Sequence, residues 1–283
     1  MIKTLQHYLE LIKFSHTVFA LPFALVAVLT ATHGSPTLPQ VFWVIVAMAG
    51  ARSGAMGFNR WLDRKFDAEN PRTSKRPSVT GAINPLAILM MTGGSYSVLV
   101  IASAQLNPLA FYLSPVAIFL TAFYSFTKRF TNYSHLFLGI AIGAAPVAAW
   151  IAVTGKISVA ALTLGTSVLF WIAGFDVLYA LQDLEFDRQT GLFSIPARFG
   201  IQGSLLIARV FHAITVLMWL LFYYWSGLNY WFALGLLVGT CLLFWEHWLI
   251  RDGKLEKLDM AFFNMNGYIS LTIFMFTCLA CWL

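Results

Sequence analysis

Charge is scarce in this chain. Asp, Glu, Lys and Arg make up 11% of its 283 residues, against 59% hydrophobic. Soluble domains carry about a quarter charged residues, so an ordinary soluble fold is excluded and the mean hydropathy of +0.74 points to a bilayer as solvent. Acid is scarcer than base, with 12 acidic against 18 basic side chains and a net charge of +6. Nucleic acid is nonetheless an unsuitable partner, because the basic residues divide by membrane side. Cysteine is sparse too. Cys241, Cys278 and Cys281 fall inside apolar runs without metal-ligand spacing and read as packing residues. His-Glu-x-x-His, a Walker A loop and Gly-x-Ser-x-Gly are absent, which removes the motif signs of metalloprotease, nucleotide and acyl chemistry. Among the histidines, His16, His33, His135, His212 and His247 lack cluster spacing and read as interfacial or packing residues, while His7 belongs to an amphipathic segment at the membrane surface.

What the chain has in abundance is long apolar runs. Spans of about 20 residues, enough to cross about 30 Å of hydrocarbon, are predicted near 14–32, 40–62, 84–104, 109–127, 134–153, 157–182, 204–225, 230–250 and 261–282. The runs lack barrel alternation, leaving helices as the structure that satisfies the backbone in lipid. The expected fold is an all-α integral membrane protein: one domain over 1–283, with nine transmembrane helices. With the N-terminus inside, one side holds Lys3, Lys13, Arg60, Arg64, Lys65, Arg72, Lys75, Arg76, Lys128, Arg129, Arg188, Arg198, Arg209, Arg251, Lys254 and Lys257. The other side holds only Lys156. The positive-inside rule then predicts a cytoplasmic (inner) membrane protein with a cytoplasmic N-terminus and an external C-terminus. Eight further spans make the first one an uncleaved helix rather than a signal peptide.

Two acidic stretches stand where spans meet water, Asn59-Arg-Trp-Leu-Asp63-Arg-Lys-Phe-Asp67 and Asp176-Val-Leu-Tyr179-Ala-Leu-Gln-Asp183-Leu-Glu-Phe-Asp187. Their polar side chains recur every three or four residues, so a helix puts them on one face. Each is preceded seven residues earlier by a charge deep in its span: Arg52 before Asn59, and Asp176 before Asp183. Seven residues is close to two turns, or roughly 10 Å further into the membrane, and deep charges are costly enough to mark function. The second and sixth helices therefore read as counterparts. Helices one to four (about 14–127) and five to eight (about 134–250) would be related halves, with the ninth (about 261–282) outside the repeat. Simpler readings remain open: edge aspartates balancing Arg60, Arg64 and Lys65, or an Arg52–Asp176 ion pair.

Facing carboxylates at the membrane edge suit Mg²⁺, a hard cation held by one or two carboxylates plus phosphate oxygens and water. Asp63, Asp67, Asp183 and Asp187 are the predicted metal ligands, with Asn59 adding an amide oxygen. Cations for the phosphates come from the Asn70–Arg76 loop and from Lys128, which shares a helix face with Tyr124. A diphosphate head above an apolar cavity fits an isoprenyl diphosphate. Metal charge favours its ionisation, and the dry cavity protects the allylic cation from water.

These motifs, together with Tyr124-x-x-x-Lys128-Arg-x-Thr131, resemble the signatures of the UbiA superfamily of intramembrane aromatic prenyltransferases over essentially the whole chain. The resemblance implies helices around a central cavity, motif-bearing cytoplasmic caps, a lateral opening to lipid and Mg²⁺-dependent transfer of a polyprenyl group from its diphosphate to an aromatic carbon. The segments 52–73 and 262–270 look most like the 4-hydroxybenzoate polyprenyltransferase branch of ubiquinone synthesis. That branch assigns Arg52 to the acceptor's carboxylate. The segment 12–22 is instead similar to a side group that prenylates 1,4-dihydroxy-6-naphthoate in futalosine-route menaquinone synthesis; both acceptors are phenolic acids. Arg72, Tyr124, Lys128 and Tyr179 are expected at the substrate, and Asp176 as a base or a partner of the phenol. A haem- or chlorophyll-directed transferase is disfavoured by Arg52. A lipid or ion transporter is disfavoured because both acidic faces lie at one membrane edge rather than at the midplane.

Overall fold

The computed structural model describes residues 7–8, 10–11, 17–251 and 264–283. Lys3, Lys13, His16, Lys254, Lys257 and Phe262 lie outside the described residues. Within them the regular elements are helical: α1 (Thr17–Ala31), α2 (Leu38–Leu62), the short α3 (Arg64–Glu69), α4 (Pro85–Leu106), α5 (Pro108–Thr127), α6 (Ser134–Thr154), α7 (Val159–Tyr179), a 3₁₀ turn (Ala180–Asp183), the short α8 (Leu184–Thr190), α9 (Ile195–Ser226), α10 (Tyr230–Leu249) and α11 (Asn266–Trp282). Seven of the described segments are long and apolar enough to cross a membrane, counting α7 through α8 as one, and two shorter apolar helices lie at either end of the chain. This is a multi-pass membrane protein.

Local sequence sets most helix starts. Thr37 and Gln40 form a capping box ahead of α2, and Asn84, Asn107, Ser158, Ser194 and Asn229 each accept a backbone N–H in the first turn of the following helix. Such caps satisfy donors that the helix itself leaves open. Asn107 does double duty. Its amide also donates to the Ile151 and Ala152 carbonyls, at 2.8 and 2.9 Å, fastening the start of α5 to the end of α6. The Ser194 cap and Pro196 start α9 nine residues before the expected 204, and Gly200, at φ 67°, bends it near its beginning. The long sixth span resolves into α7, the 3₁₀ turn and α8.

Close approach of backbones organises the interior. The α2 backbone at Gly50 runs against Ser95 and Leu99 of α4, and Gly143 of α6 runs against Gly165 and Leu169 of α7, leaving no space for a β-carbon at either glycine. Small residues at crossings let dispersion act where lipid gives no hydrophobic drive for helix association. The helix α7 is the most enclosed element, packed between α6 and α9. Its Trp171 meets Phe23 of α1 (5.0 Å between centroids) and Phe175 edge-on (5.5 Å), in a core continued by Trp219, Phe222, Phe232 and Ile273.

Candidate active site

Both acidic stretches break their helices at the middle aspartate. The helix α2 ends at Leu62, Asp63 adopts φ −89°, ψ 3°, and α3 restarts at Arg64. In the second stretch α7 gives way to the 3₁₀ turn, Asp183 adopts φ −101°, ψ 6°, and α8 restarts at Leu184. The two residues share the bridge conformation, common where a chain turns into a site. The expectation of one uninterrupted helical face is therefore corrected. Each break re-aims the last aspartate, Asp67 or Asp187, from a short helix of its own.

One polar cavity of about 260 Å³ collects these residues. Its lining includes Asn59, Asp63, Asp67, Arg72, Tyr124, Lys128, Asp176, Tyr179, Asp183 and Asp187, from the ends of α2, α5, α6 and α7 and the segments that follow α2 and α7. Arg52 is the exception: half-buried on α2, it lines neither this cavity nor the apolar one below it, although it interacts electrostatically with Tyr124.

The carboxylates are balanced by the protein's own cations. Asp63, 3% exposed, faces Lys128 Nζ at 2.6 Å and an Arg129 guanidinium nitrogen at 2.8 Å, and accepts from the Asn59 amide at 3.1 Å. Asp67, 6% exposed, pairs with Arg76 at 2.7 Å and has Arg60 at 3.8 Å. Asp183 receives the Asn70 amide at 2.9 Å and a two-pronged contact from Arg72, whose Nε stands 3.0 Å from Oδ1. The Arg72 guanidinium also donates to the Tyr179 hydroxyl at 3.2 Å. Burial pulls its pKa down, and the hydrogen bonds and charge of Asp183 more than offset this, leaving it above the ordinary arginine value. The loop after the first stretch thus reaches across to the second.

Arg60, Asn70, Arg76 and Arg129, expected as neighbouring charges or loop residues, are here the direct partners of the aspartates, and His135 joins them. His135, expected as a packing residue, is buried beside the cavity with Nδ1 2.7 Å from Asp176 Oδ2. Asp176 therefore has its partner in His135. His212 and His247 form their own hydrogen bond at 2.9 Å, between α9 and α10.

Among the described residues no three His, Cys, Asp or Glu side chains are gathered into a ready-made metal cage. Mg²⁺ seldom needs one, since it keeps waters and borrows phosphate oxygens while using one or two carboxylates. The donor set is hard oxygen, and Asp67 Oδ2 is buried with no hydrogen-bond partner, the Arg60 guanidinium standing 3.8 Å away, beyond bonding distance. A buried acceptor left unsatisfied is costly, and a cation would satisfy it. The residues present fit a divalent ion.

Directly beneath lies an apolar cavity of about 390 Å³. Val44, Met48, Leu99, Leu113, Leu120 and Leu169 are among its walls, on the same helices plus α4. The two spaces meet within one helical turn: Thr121 lines the apolar cavity and Tyr124 the polar one on α5, and on α6 Ile140 and Leu138 divide in the same way. The arrangement can hold a charged head above a hydrocarbon tail.

Comparison with known proteins agrees with this geometry. A family model described as the UbiA prenyltransferase family matches residues 20–268. The chain belongs to this family. It is 31% identical over 244 residues to a 4-hydroxybenzoate octaprenyltransferase of Pseudomonas fluorescens (strain SBW25), covering 86% of this chain and 82% of the relative. A Coxiella burnetii (strain CbuK_Q154) protein of the same name is 30% identical over 272 residues, covering 95% and 94%. Among solved structures, a UbiA homolog from Aeropyrum pernix K1 superposes with a TM-score of 0.83 at 29% identity, over 91% of this chain and 95% of that one. A UbiA homolog from Archaeoglobus fulgidus bound to GPP and Mg²⁺ gives a TM-score of 0.77 at 20% identity over 98% and 100%, a likeness of fold alone.

Proposed function

We propose that this prenyltransferase moves a polyprenyl group from polyprenyl diphosphate to the ring carbon ortho to the hydroxyl of a phenolic acid, 4-hydroxybenzoate, in ubiquinone synthesis. The observation that carries the reading is the stacking of a doubly acidic, cation-rimmed cavity on an apolar one within the same helices. The diphosphate occupies the upper space and the isoprenoid tail the lower. The names of the relatives support the choice of acceptor. The same reading takes α1 and α11 as the first and ninth crossings, treats the matched breaks at Asp63 and Asp183 as traces of two related four-helix halves, and opens the polar cavity to the cytoplasm of an inner-membrane enzyme.

In this reading Asp63, Asp67, Asp183 and Asp187, with Asn59, hold Mg²⁺. The ion supplies charge neutralisation for the leaving diphosphate. Lys128 and Arg72, paired with Asp63 and Asp183 at the cavity lining, would hold the phosphates of the bound diphosphate. Tyr124 and Tyr179 line the reacting end of the tail. Arg52 borders neither cavity in this structure; in this reading it pairs with the carboxylate of an acceptor that enters beside Tyr124, with which it interacts, and so orients the ring for attack. The allylic C–O bond breaks first, its electron pair leaving on diphosphate, and the ring π electrons then form the new carbon–carbon bond to the allylic cation. Asp176 faces the ring proton that must then leave.

The test is a prenyl-transfer assay on purified protein in lipid, with Mg²⁺, a long-chain prenyl diphosphate and two acceptors in parallel. Product from 4-hydroxybenzoate supports the reading. Product from 1,4-dihydroxy-6-naphthoate alone, the acceptor suggested by the 12–22 segment, moves the enzyme to menaquinone synthesis. No product and no diphosphate binding would overturn it in favour of a transporter.

A further inference from the structure

The partners of His135 lie at two distant points of the chain. Its Nδ1 stands 2.7 Å from Asp176 Oδ2, and its Nε2 accepts the backbone N–H of Ile195 at 3.4 Å. A carboxylate accepts and a backbone N–H donates, so these neighbours assign a neutral imidazole with its proton on Nδ1. Ile195 starts α9 and follows the strap 191–194, which crosses the rim of the polar cavity with Leu192, Phe193 and Ser194 in its lining. The Phe193 N–H donates to the Lys128 carbonyl at 2.9 Å, so the strap is fastened at α5 and again at His135 on α6. The His135 side chain is 5% exposed, whereas Asp176 keeps 25% of its own side-chain exposure. One oxygen of Asp176 is thus committed to an enclosed donor while the carboxylate still borders the cavity.

Resting on the function proposed above, we infer that His135 is a positioning residue for proton removal: it holds Asp176 so that the carboxylate takes the ring proton after carbon–carbon bond formation. The C–H electron pair returns to the ring π system, the proton moves to Asp176, and bulk water receives it once product leaves. The Nδ1–H donor fixes the carboxylate's rotation and keeps one oxygen turned away from the reacting ring. The Ile195 N–H in turn fixes the tautomer, so the strap and the base are set by one ring.

Two variants separate this role from simple tethering. In His135→Asn the amide nitrogen replaces Nδ1 and keeps the donor to Asp176. In His135→Gln the amide oxygen replaces Nε2 and keeps the acceptor for Ile195. The assay uses full-length protein in lipid, with acceptor deuterated ortho to the hydroxyl. Wild type is expected to give no ring-deuterium isotope effect, because ionisation limits the rate. His135→Ala and His135→Gln should lose about tenfold or more in kcat, with little change in the KM for prenyl diphosphate, and should acquire an isotope effect as deprotonation becomes limiting. His135→Asn should restore most of kcat and abolish the isotope effect. Rescue by Gln rather than Asn, or a loss of kcat without an isotope effect in any variant, would overturn the inference while leaving the function intact. Absence of wild-type turnover on any phenolic acid would instead overturn the functional reading on which it rests.

Discussion

The two acidic stretches share a backbone device and differ in what surrounds it. In the first, Asp63 and Asp67 are nearly sealed and held by Lys128, Arg129, Arg76 and Arg60. In the second, Asp183 is more open and is held by Arg72 and Asn70, both from the loop that follows the first stretch. The loops differ in the same sense. The segment 70–76 carries Arg72, Lys75 and Arg76, whereas the segment 191–194 is Gly-Leu-Phe-Ser. The loop 70–76 and the end of α5 thus supply cations to the acidic corners, whereas the segment 191–194 supplies an apolar strap. Under the proposed function, the contrast would concentrate the phosphate-facing charge on one side of the site.

The comparison can be broken by exchanging carboxylates. Under the proposed function Asp63→Asn and Asp183→Asn should each lower turnover about 100-fold or more, the loss of a charged metal ligand. They should differ in stability. Asp63→Ala removes a nearly sealed carboxylate that pairs with two cations, Lys128 and Arg129, which are themselves 30% and 26% exposed, and should cost about 1–2 kcal/mol, read as a lowered unfolding temperature. Asp183→Ala frees a partly exposed arginine and should cost less than about 1 kcal/mol. Equal thermal shifts would remove the distinction between the corners.

Smaller effects sharpen it. Arg72→Ala should reduce kcat/KM about tenfold, mainly through the KM for prenyl diphosphate, since the bidentate cation serving the second corner is lost; an unchanged diphosphate dependence would return Arg72 to a structural tie. Arg52→Ala should raise the acceptor's KM about tenfold, the loss of one charged hydrogen-bond partner, with diphosphate dependence unaltered. Equal changes for both substrates would place Arg52 in general packing. Phe193→Ala, on the apolar strap, should change either KM by no more than about twofold. A large effect there would give the strap a role in binding the head group.

Much of this was legible in the sequence because it is local. Helix starts are marked by Thr37, Asn84, Asn107 and Ser158, and the apolar spans give the all-helical membrane class directly. The two acidic stretches supplied Asn59, Asp63, Asp67, Asp176, Tyr179, Asp183 and Asp187 of the cavity's lining, while the basic loop and the Tyr124–Lys128 pair supplied Arg72, Tyr124 and Lys128. The breaks at Asp63 and Asp183 were not legible, since leucine, arginine and phenylalanine on either side continue a helical pattern and only tertiary demands turn the chain. Nor were Arg76 on Asp67, Arg129 on Asp63 or His135 on Asp176. The last pair is 41 residues apart on different helices, and no periodicity within one helix reports such a meeting. His135 was hidden for the further reason that a lone histidine at a helix start has an ordinary interfacial explanation.

The central claim is that both acidic stretches build one metal–diphosphate site. The most direct measurement is a Mn²⁺ titration followed by electron paramagnetic resonance, on protein in lipid with an unreactive prenyl diphosphate analogue. The account predicts that a pair of ions binds in the analogue's presence, that Asp63→Asn with Asp67→Asn weakens one, and that Asp183→Asn with Asp187→Asn weakens the other. Ion binding that ignores both pairs of substitutions, or that has no dependence on diphosphate, would contradict it.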